Sequence, residues 1–253
     1  MEGMEKSLQS LLDWYERAGV AVPELPLEKS VRRVRPRVNQ APPPPRPKAE
    51  VFAAADPAPL AAACKTIAEL KAALDAYDAG ALSDGARQAV LARGTPGSPL
   101  MIIGEAPGRD EDVQGKPFVG RSGQLLDKML AAIGLGPDDV YISNVCFWRP
   151  PNNRKPDPDE LKLCLPFVLR HIELAQPKVL LMTGGTSMQS LTGVTGIMRN
   201  RGQWQDVAVK RGAASSLPAL PIYHPAFLLR RPELKKEAWT DLLTLRGRLA
   251  ELA

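Results

Sequence analysis

A regular alternation of apolar strands and amphipathic helices, from about residue 99 onwards, most constrains the fold. Four short apolar runs predict strands: "PLMIIGEA", "DVYISNV", "KVLLMTGG" and "ALPIYHP". Helical spacing precedes the first strand in "AELKAALDAYDAG" and follows the strands in "SGQLLDKMLAAIG", in 158–175, briefly after the third strand, and in the closing "ELKKEAWTDLLTLRGRLAEL". Strands that alternate with helices favour a parallel sheet covered on both faces. We therefore expect an α/β fold, a three-layer αβα sandwich around a central, mostly parallel four-stranded sheet.

The N-terminal region differs in composition from this domain. Residues 1–20 space their apolar side chains at helical intervals, which predicts an amphipathic helix that could dock on the core or on an unknown protein. Residues 21–60 form a Pro/Arg-rich linker, in which 31–48 carry five Arg, one Lys and no acid, against a net charge of +5 for the whole chain. Such a segment should be disordered, either a solvated tether or a stretch attracted to nucleic acid phosphates. The catalytic domain is expected over 61–253.

Composition also limits the class of protein. No apolar run approaches the roughly 18 residues that span a membrane, and the first residues lack a signal-type apolar stretch. Three cysteines, an odd number, argue against a secreted disulfide framework. We expect a cytoplasmic protein with reduced thiols and no membrane association, and nothing requires more than a monomer.

All four predicted strands end in polar residues or glycine. The first runs into Glu105, the second ends at Asn144, the third at Gly184 and Gly185, and the fourth at His224. In open parallel sheets, ligands bind beyond the carboxyl ends of the strands. These four endings together predict an active site at that edge.

An acidic cluster follows the first strand in "GEAPGRDED". Its carboxylates, Glu105, Asp110, Glu111 and Asp112, could bind magnesium. One of them could instead orient a water as a general base, or the stretch could be a solvated loop.

Three further residues suggest recognition of a flat polar ligand. Phe118 lies between glycines in "GKPFVGRSG", as a stacking face or as a core residue. The Asn144 amide has a donor and an acceptor, which suits one edge of a heterocycle, although a turn is an equal alternative. His224 precedes a proline, where its ring can face the cleft or serve the turn. His171 lies inside a helix and is expected to be structural.

The motifs "GEAPGRDEDVQGKPFVGRSGQLLDKML", "VYISNVCFWRPPNNRKPDPDE", "RGQW" and "HPAFLLR" resemble the family 4 uracil-DNA glycosylases of bacteria and archaea. The resemblance covers about residues 80–250, with motif order and spacing intact. It implies an enzyme of base excision repair that flips uracil out of DNA and hydrolyses its N-glycosidic bond. Because no lysine nucleophile is evident, we expect a monofunctional glycosylase. An enzyme that acts on DNA would be associated with the nucleoid.

The resemblance also implies roles for the residues of the predicted site. Phe118 would stack on the base, and Asn144 would bind its polar edge. His224 would stabilise the charge that develops on the leaving uracil. Glu111 is the favoured candidate for positioning the water, with Glu105 and the amide of Ala106 lining the pocket.

A second set of residues would hold the DNA. The "AFLLR" segment would supply a wedge that fills the gap left by the flipped base. Basic and amide side chains of the Pro-rich loop and of the wedge would bind phosphates. The wedge residues are Phe227, Leu228 and Leu229, and the phosphate-binding residues are Arg149, Asn153, Arg154, Lys155 and Arg230.

Family 4 enzymes typically hold a 4Fe-4S cluster with four cysteines, and this chain departs from that pattern. The four ligand positions correspond to Tyr77, Gly80, Trp148 and Cys164, so that only Cys164 matches. Cys146 lies two residues early, and Cys64 lies well upstream. We therefore expect no cofactor and a lost cluster, with Tyr77 and Trp148 packing in its place; an incomplete cluster with an outside ligand is the alternative.

Two other functions stay open from the sequence. A non-catalytic DNA-binding module of replication or repair would bind uracil-containing DNA without releasing the base. A metal-dependent phosphohydrolase built on the "DED" carboxylates would lose activity with a chelator. The combination of Glu, Phe, Asn and His at the strand ends favours the glycosylase, because binding alone needs no such set.

Overall fold

The computed structural model describes residues 56–211 and 214–252. The predicted helix of residues 1–20 and nearly all of the predicted linker lie outside the described residues. The first described helix, α1 (Pro57–Ala63), begins within the last residues assigned to that linker. Asp56 caps it by accepting a hydrogen bond from the Ala58 N–H group.

The described strands form one mixed sheet with the order β1-β3-β2-β4-β6-β5. The four central strands are parallel to one another, whereas β1 and β5 pair antiparallel at the two edges. The four predicted strands are the central ones, so the mostly parallel core is confirmed, and the edge strands extend the sheet. The strands are β1 (Arg93–Gly94), β2 (Leu100–Gly104), β3 (Val140–Asn144), β4 (Val179–Thr183), β5 (Gln205–Arg211) and β6 (Ala214–Ile222).

Helices cover both faces of the sheet, as expected for a three-layer sandwich. The remaining helices are α2 (Ile67–Ala76), α3 (Ala81–Asp84), α4 (Arg109–Gln114), α5 (Arg121–Ala131), α6 (Pro158–Ala175), α7 (Gly185–Thr192), α8 (Ile197–Asn200), α9 (Pro225–Arg230) and α10 (Lys235–Ala250). Short 3-10 turns span Pro137–Asp139, Pro151–Asn153 and Pro232–Leu234. Among the described residues, no helix combines the length and apolar character that a membrane crossing requires.

Alternation along the strands divides the core between the two faces. In β2, Met101 and Ile103 pack with α2, α6 and α7, whereas Leu100 and Ile102 pack with α5 and α10. Every residue of β2, β3 and β4 is buried. This two-sided burial explains why the strands read as continuous apolar runs.

Two short helices near the strand ends were not predicted from the sequence. The "GRDED" stretch is not a loop but begins helix α4, which Gly115 ends in a left-handed conformation with φ 68°. The acids lie in its first turn, where the helix dipole favours negative charge. The "PAFLLR" segment forms helix α9, which His224 caps. Both helices have only six residues, too few for a periodic apolar pattern to identify.

His171 of α6 belongs to a buried polar network against β3. Its Nε2 lies 2.9 Å from the Tyr141 hydroxyl, and its Nδ1 lies 3.4 Å from the Ser143 hydroxyl. Ser143 donates its proton to the Leu91 carbonyl over 2.7 Å, so it accepts from Nδ1–H, and Tyr141 donates to Nε2. Burial lowers the pKa of His171 to about 3. The ring is therefore neutral and structural.

The buried histidine should make the fold acid-sensitive. The unfolded chain protonates His171 near its ordinary pKa of about 6.5, whereas the folded chain does so only at about 3. Stability is thus fully present above pH 6.5 and is lost as the pH falls below it, by about 2 kcal/mol at pH 5.

Urea titrations of wild type and a His171→Gln variant at pH 7 and pH 5 measure this difference. The wild type should lose about 2 kcal/mol more unfolding free energy than the variant over that interval. Parallel losses in the two proteins would contradict a neutral, buried His171.

Candidate active site

The carboxyl ends of the parallel strands open into a cleft of about 160 Å³. It collects residues from the loops after β2, β3 and β6, as expected where parallel strands end together. Candidate base-binding and catalytic residues from the sequence all lie here. The lining consists of Glu105, Ala106, Pro107, Gly108, Glu111, Phe118, Ser122, Asn144, Asn153, Arg154 and His224.

Position 104 requires glycine, because a larger side chain would collide with two residues that line the cleft. A Cβ atom there would lie 2.5 Å from both the Asn144 Oδ1 and the Phe118 Cζ. The ring and the amide therefore converge over the same glycine. Among the described residues, none hydrogen-bonds the Asn144 side-chain amide, although Asn144 is only 2% exposed. Its donor and acceptor are open to a ligand.

Phe118 holds its ring in the cleft through a left-handed backbone, with φ 55°. Non-glycine residues rarely adopt this conformation. Gly123 makes it possible, because a Cβ at Gly123 would lie only 1.8 Å from the Phe118 carbonyl oxygen. A strained aromatic residue at a cleft is typical of a functional position.

His224 presents a neutral imidazole to the cleft. Its Nδ1 accepts a hydrogen bond from the Ala226 N–H group, 3.1 Å away. The proton of the neutral ring must then be on Nε2. Burial lowers the pKa of His224, Glu105 and Glu111 oppose the shift, and Arg230 adds to it. The ring lies 5.7 Å from that of Phe118, tilted by 31°, so Nε2–H can donate to a ligand stacked on Phe118.

Glu105 lies half-buried at the end of β2. Its Oε2 accepts a hydrogen bond from the Thr186 hydroxyl at 2.5 Å, and its carbonyl accepts one from the Cys146 N–H group at 3.0 Å. In the part of the chain that the structure describes, nothing donates to Oε1. One oxygen of this carboxylate therefore remains open to water or a ligand.

Glu111 is buried, and its carboxylate accepts hydrogen bonds from backbone N–H groups. Its Oε1 accepts hydrogen bonds from the N–H groups of Val119 (3.0 Å) and Gly120 (2.9 Å), and its Oε2 accepts one from Gly108 (3.1 Å). These bonds join the "GEAPG" loop to the loop that carries Phe118. Most of the accepting capacity of this carboxylate is thus occupied.

The acidic residues do not converge on one point. The neighbouring Asp112 turns away from Glu111, accepting from the Arg87 N–H group at 2.8 Å and lying 3.9 Å from Arg149. No group of three or more His, Cys, Asp or Glu residues with metal-binding geometry occurs within 56–211 and 214–252. The arrangement gives no support to a magnesium site on the "DED" carboxylates.

The Pro-rich loop places its basic residues in different environments. Arg149 is half-buried and donates to Asn153 Oδ1 at 2.6 Å. Arg154 forms a two-pronged pair with Glu160, at 2.5 and 2.7 Å, and this hydrogen bonding lowers the pKa of Glu160. Arg154 is thus held by an acid at the cleft rim. Lys155 is exposed and forms no ion pair with the described residues.

The predicted wedge is only partly at the surface. Leu229 is 37% exposed, whereas Leu228 is fully buried with Tyr223 and Ala238. Phe227 is half-buried, with its ring 5.4 Å from that of Tyr223. Of the predicted wedge residues, Leu228 thus lies in the core and not at the surface, because successive residues of helix α9 point in different directions.

An open groove of about 480 Å³ adjoins the cleft and shares Glu111, Ser122 and Asn153 with it. We call it the arginine groove, after Arg109, Arg121 and Arg230 in its lining, which also includes Leu229 and Asp110. Within the described residues, none of the three arginines forms an ion pair. Arg109 and Arg121 were missed by the sequence reasoning, although each begins a helix directly after a glycine near the predicted site.

A family model described as the uracil DNA glycosylase superfamily matches residues 91–243. The match covers every residue that lines the cleft. The chain belongs to the uracil-DNA glycosylase superfamily. Its first 90 residues lie outside the matched span.

Curated relatives identify the branch of the superfamily. The chain is 42% identical over 147 residues to a type-4 uracil-DNA glycosylase of Archaeoglobus fulgidus, covering 56% of this chain and 72% of that protein. It is 40% identical over 152 residues to the type-4 enzyme of Pyrobaculum aerophilum, covering 58% and 76%. A type-4 enzyme of Sulfurisphaera tokodaii shares 38% over 164 residues, covering 62% and 73%. The resemblance to family 4 glycosylases is thereby confirmed.

The cysteines bear on the cluster that this resemblance implies. Cys146 and Cys164 are both fully buried, and the neighbouring Cys164 thiol, together with burial, raises the pKa of Cys146. Cys64 has a different partner, since its thiol donates to the Leu60 carbonyl at 3.3 Å. The thiols of Cys64 and Cys146 thus donate to different backbone carbonyls, that of Cys146 to the Trp148 carbonyl at 3.2 Å.

Aromatic rings occupy the neighbourhood of these thiols. The ring of Tyr77 lies 6.2 Å from that of Trp148 and 5.2 Å from that of Phe167. All three pack in the same buried cluster as Cys146 and Cys164. Two thiols surrounded by aromatic side chains do not fit a cluster that needs four ligands.

The two leucines of α9 give a direct test of their placement. Leu228→Ala should lower the free energy of unfolding by about 2–5 kcal/mol, because it opens a cavity in the core. Leu229→Ala should change it by less than about 0.5 kcal/mol. Urea denaturation measures both, and equal effects would show that the helix is turned differently.

Proposed function

We propose that this chain is a monofunctional uracil-DNA glycosylase that flips uracil out of DNA and hydrolyses its N-glycosidic bond. The convergence of the Phe118 ring and the Asn144 amide over Gly104, with the His224 imidazole beside the Phe118 ring, carries this proposal. An aromatic face, a two-way amide and a neutral donor form a site for a flat, polar base. The names and the extent of the type-4 relatives support the same activity.

Phe118 and Asn144 select the base. A uracil stacked on Phe118 would offer N3–H to the Asn144 Oδ1 and its O4 to the Asn144 Nδ2. Cytosine reverses donor and acceptor at both positions, so it would leave buried polar groups unpaired, which costs about 1–3 kcal/mol for each group. The absence of a side chain at Gly104 leaves room for the ring and the amide in this arrangement.

His224 stabilises the leaving uracil. As the N-glycosidic bond breaks, negative charge develops on the base, and the neutral Nε2–H donates to its oxygen. A donor already aimed at the developing charge lowers the barrier without reorganisation. The hydrogen bond from Ala226 to Nδ1 holds the ring in the required tautomer.

Glu105 positions the water, because its Oε1 remains open, whereas Glu111 is engaged by three backbone N–H groups. The carboxylate also offsets the positive charge that develops on the sugar. Glu111 then holds the loop that carries Phe118. This assignment reverses the sequence-based preference for Glu111 and stays a proposal for both residues.

The arginine groove receives the DNA strand beside the flipped nucleotide. Arg109, Arg121 and Arg230 would bind phosphates, as would Lys155 and Arg149 of the Pro-rich loop. Leu229 is the exposed residue of α9 available to enter the gap left by the base. No lysine lines the described cleft, which favours base release without strand cleavage.

The partner implied is uracil-containing DNA, and base excision repair is the process. One chain supplies every residue of the proposed site, so a monomer suffices. We place the protein in the cytoplasm, associated with the nucleoid. The N-terminal helix remains a proposed docking element for another protein.

A base-release assay tests the function. Purified protein is incubated with chelator and a labelled oligonucleotide that carries one uracil, and abasic sites are then cleaved with alkali. Wild type should give alkali-dependent cleavage, whereas His224→Ala should be about 100- to 1,000-fold slower, as for loss of one oxyanion donor. If the protein binds uracil-containing DNA but releases no base, the non-catalytic module is favoured instead. A hydrolytic activity that appears only when the chelator is left out would favour the phosphohydrolase.

We also propose that the chain works without an iron–sulfur cluster. Its support is the mismatch between the four ligands required and the two adjacent thiols present, packed among Tyr77, Trp148 and Phe167. The aromatic side chains then stabilise by packing the region that a cluster would otherwise crosslink. None of the residues proposed for catalysis is one of these two cysteines or three aromatic residues.

Iron content decides the cofactor proposal. Protein purified without oxygen should contain far less than one iron per chain. Replacing both Cys146 and Cys164 with Ala should leave base release within about threefold of wild type, with Cys64→Ala as the control thiol. Stoichiometric iron and sulfide, lost together with activity in the double variant, would overturn the proposal.

A further inference from the structure

Thr186 lies in the first turn of α7, directly after β4, in the sequence "TGGT". Its hydroxyl donates to Glu105 Oε2 at 2.5 Å, at the lower end of the range for a hydrogen bond between a hydroxyl and a carboxylate. The contact joins two neighbouring parallel strands, because Glu105 follows β2 and Thr186 follows β4. Thr186 itself does not line the described cleft.

The segment between β4 and α7 also lies close to His224. Gly184 has φ 99°, and a Cβ atom there would lie 3.1 Å from the Cβ of His224. The Gly184 N–H group donates to the Ile222 carbonyl at 2.9 Å, which links this segment to the end of β6. The segment from Gly184 to Thr186 thus touches both Glu105 and His224.

We propose that Thr186 is a positioning residue for catalysis, acting through Glu105. By holding Oε2, it fixes the rotation of the carboxylate and leaves Oε1 directed at the water. Carboxylate rotamers are otherwise free at a half-buried position, and a misplacement of about 1 Å can slow a reaction about 100-fold. This inference rests on the proposed glycosylase function and on the role proposed there for Glu105.

Two matched variants separate the hydroxyl from the shape of the side chain. Thr186→Val keeps the shape and loses the hydroxyl, whereas Thr186→Ser keeps the hydroxyl. Single-turnover uracil release should slow by about 10- to 100-fold in Thr186→Val and stay within about threefold of wild type in Thr186→Ser. Binding to a duplex with a tetrahydrofuran abasic analogue should be unchanged in both, since Thr186 does not line the cleft.

A double-variant cycle shows whether Thr186 acts through Glu105. Adding Thr186→Val to Glu105→Ala should cause no further loss of rate beyond about twofold, because the carboxylate that Thr186 holds is already gone. The melting temperature of each variant is measured beside its rate of uracil release. A purely structural role would instead lower the rate of the double variant by the product of the two single losses.

The outcomes distinguish this inference from the function itself. If wild type releases no uracil, the proposed function fails and this inference falls with it. If wild type releases uracil and Thr186→Val matches its rate, or if the two losses multiply in the double variant, only the positioning role is overturned. Slow Thr186→Val, near-normal Thr186→Ser and no added loss in the double variant would support it.

Discussion

The candidate site depends on one buried carboxylate, that of Glu111. Its three hydrogen bonds join the loop after β2 to the loop that carries Phe118. Neither loop is long enough to build a core of its own, so their relative position rests on these bonds and on the packing of the Phe118 ring. A buried carboxylate that lost its N–H donors would be costly, and each loop therefore stabilises the other. The width of the cleft follows from this connection.

Much of the fold was predictable because the parallel strands are buried on both faces. Their continuous apolar runs marked β2, β3 and β4 within one or two residues, and Pro158 and Ala175 bound α6 as expected. The convergence of Glu105, Asn144 and His224 followed from the same topology, since parallel strands end at one edge. No chemistry beyond strand periodicity was needed to bring these three residues together.

Other features depend on local geometry that periodicity does not encode. The orientation of a six-residue helix decides that Leu228 is buried and Leu229 exposed. The hydroxyl of Thr186 meets Glu105 only because β4 lies beside β2 in the sheet, and the strand order was not part of the prediction. Arg109 and Arg121 were missed because the sequence pattern drew attention to the acids of "GRDED", of which Glu111 and Asp112 accept hydrogen bonds from backbone N–H groups.

Phe118 is a position at which the backbone and the site favour different residues. With φ 55° the chain would be relaxed by glycine, yet only an aromatic side chain offers a face to a base. The strain, of order 1–3 kcal/mol for such a conformation, is present before any DNA arrives. Binding a base therefore requires no further distortion of this residue, and the ring is already in place when the nucleotide enters. The strain therefore lowers the free energy of unfolding, and in return the Phe118 ring lies in the cleft of the free protein.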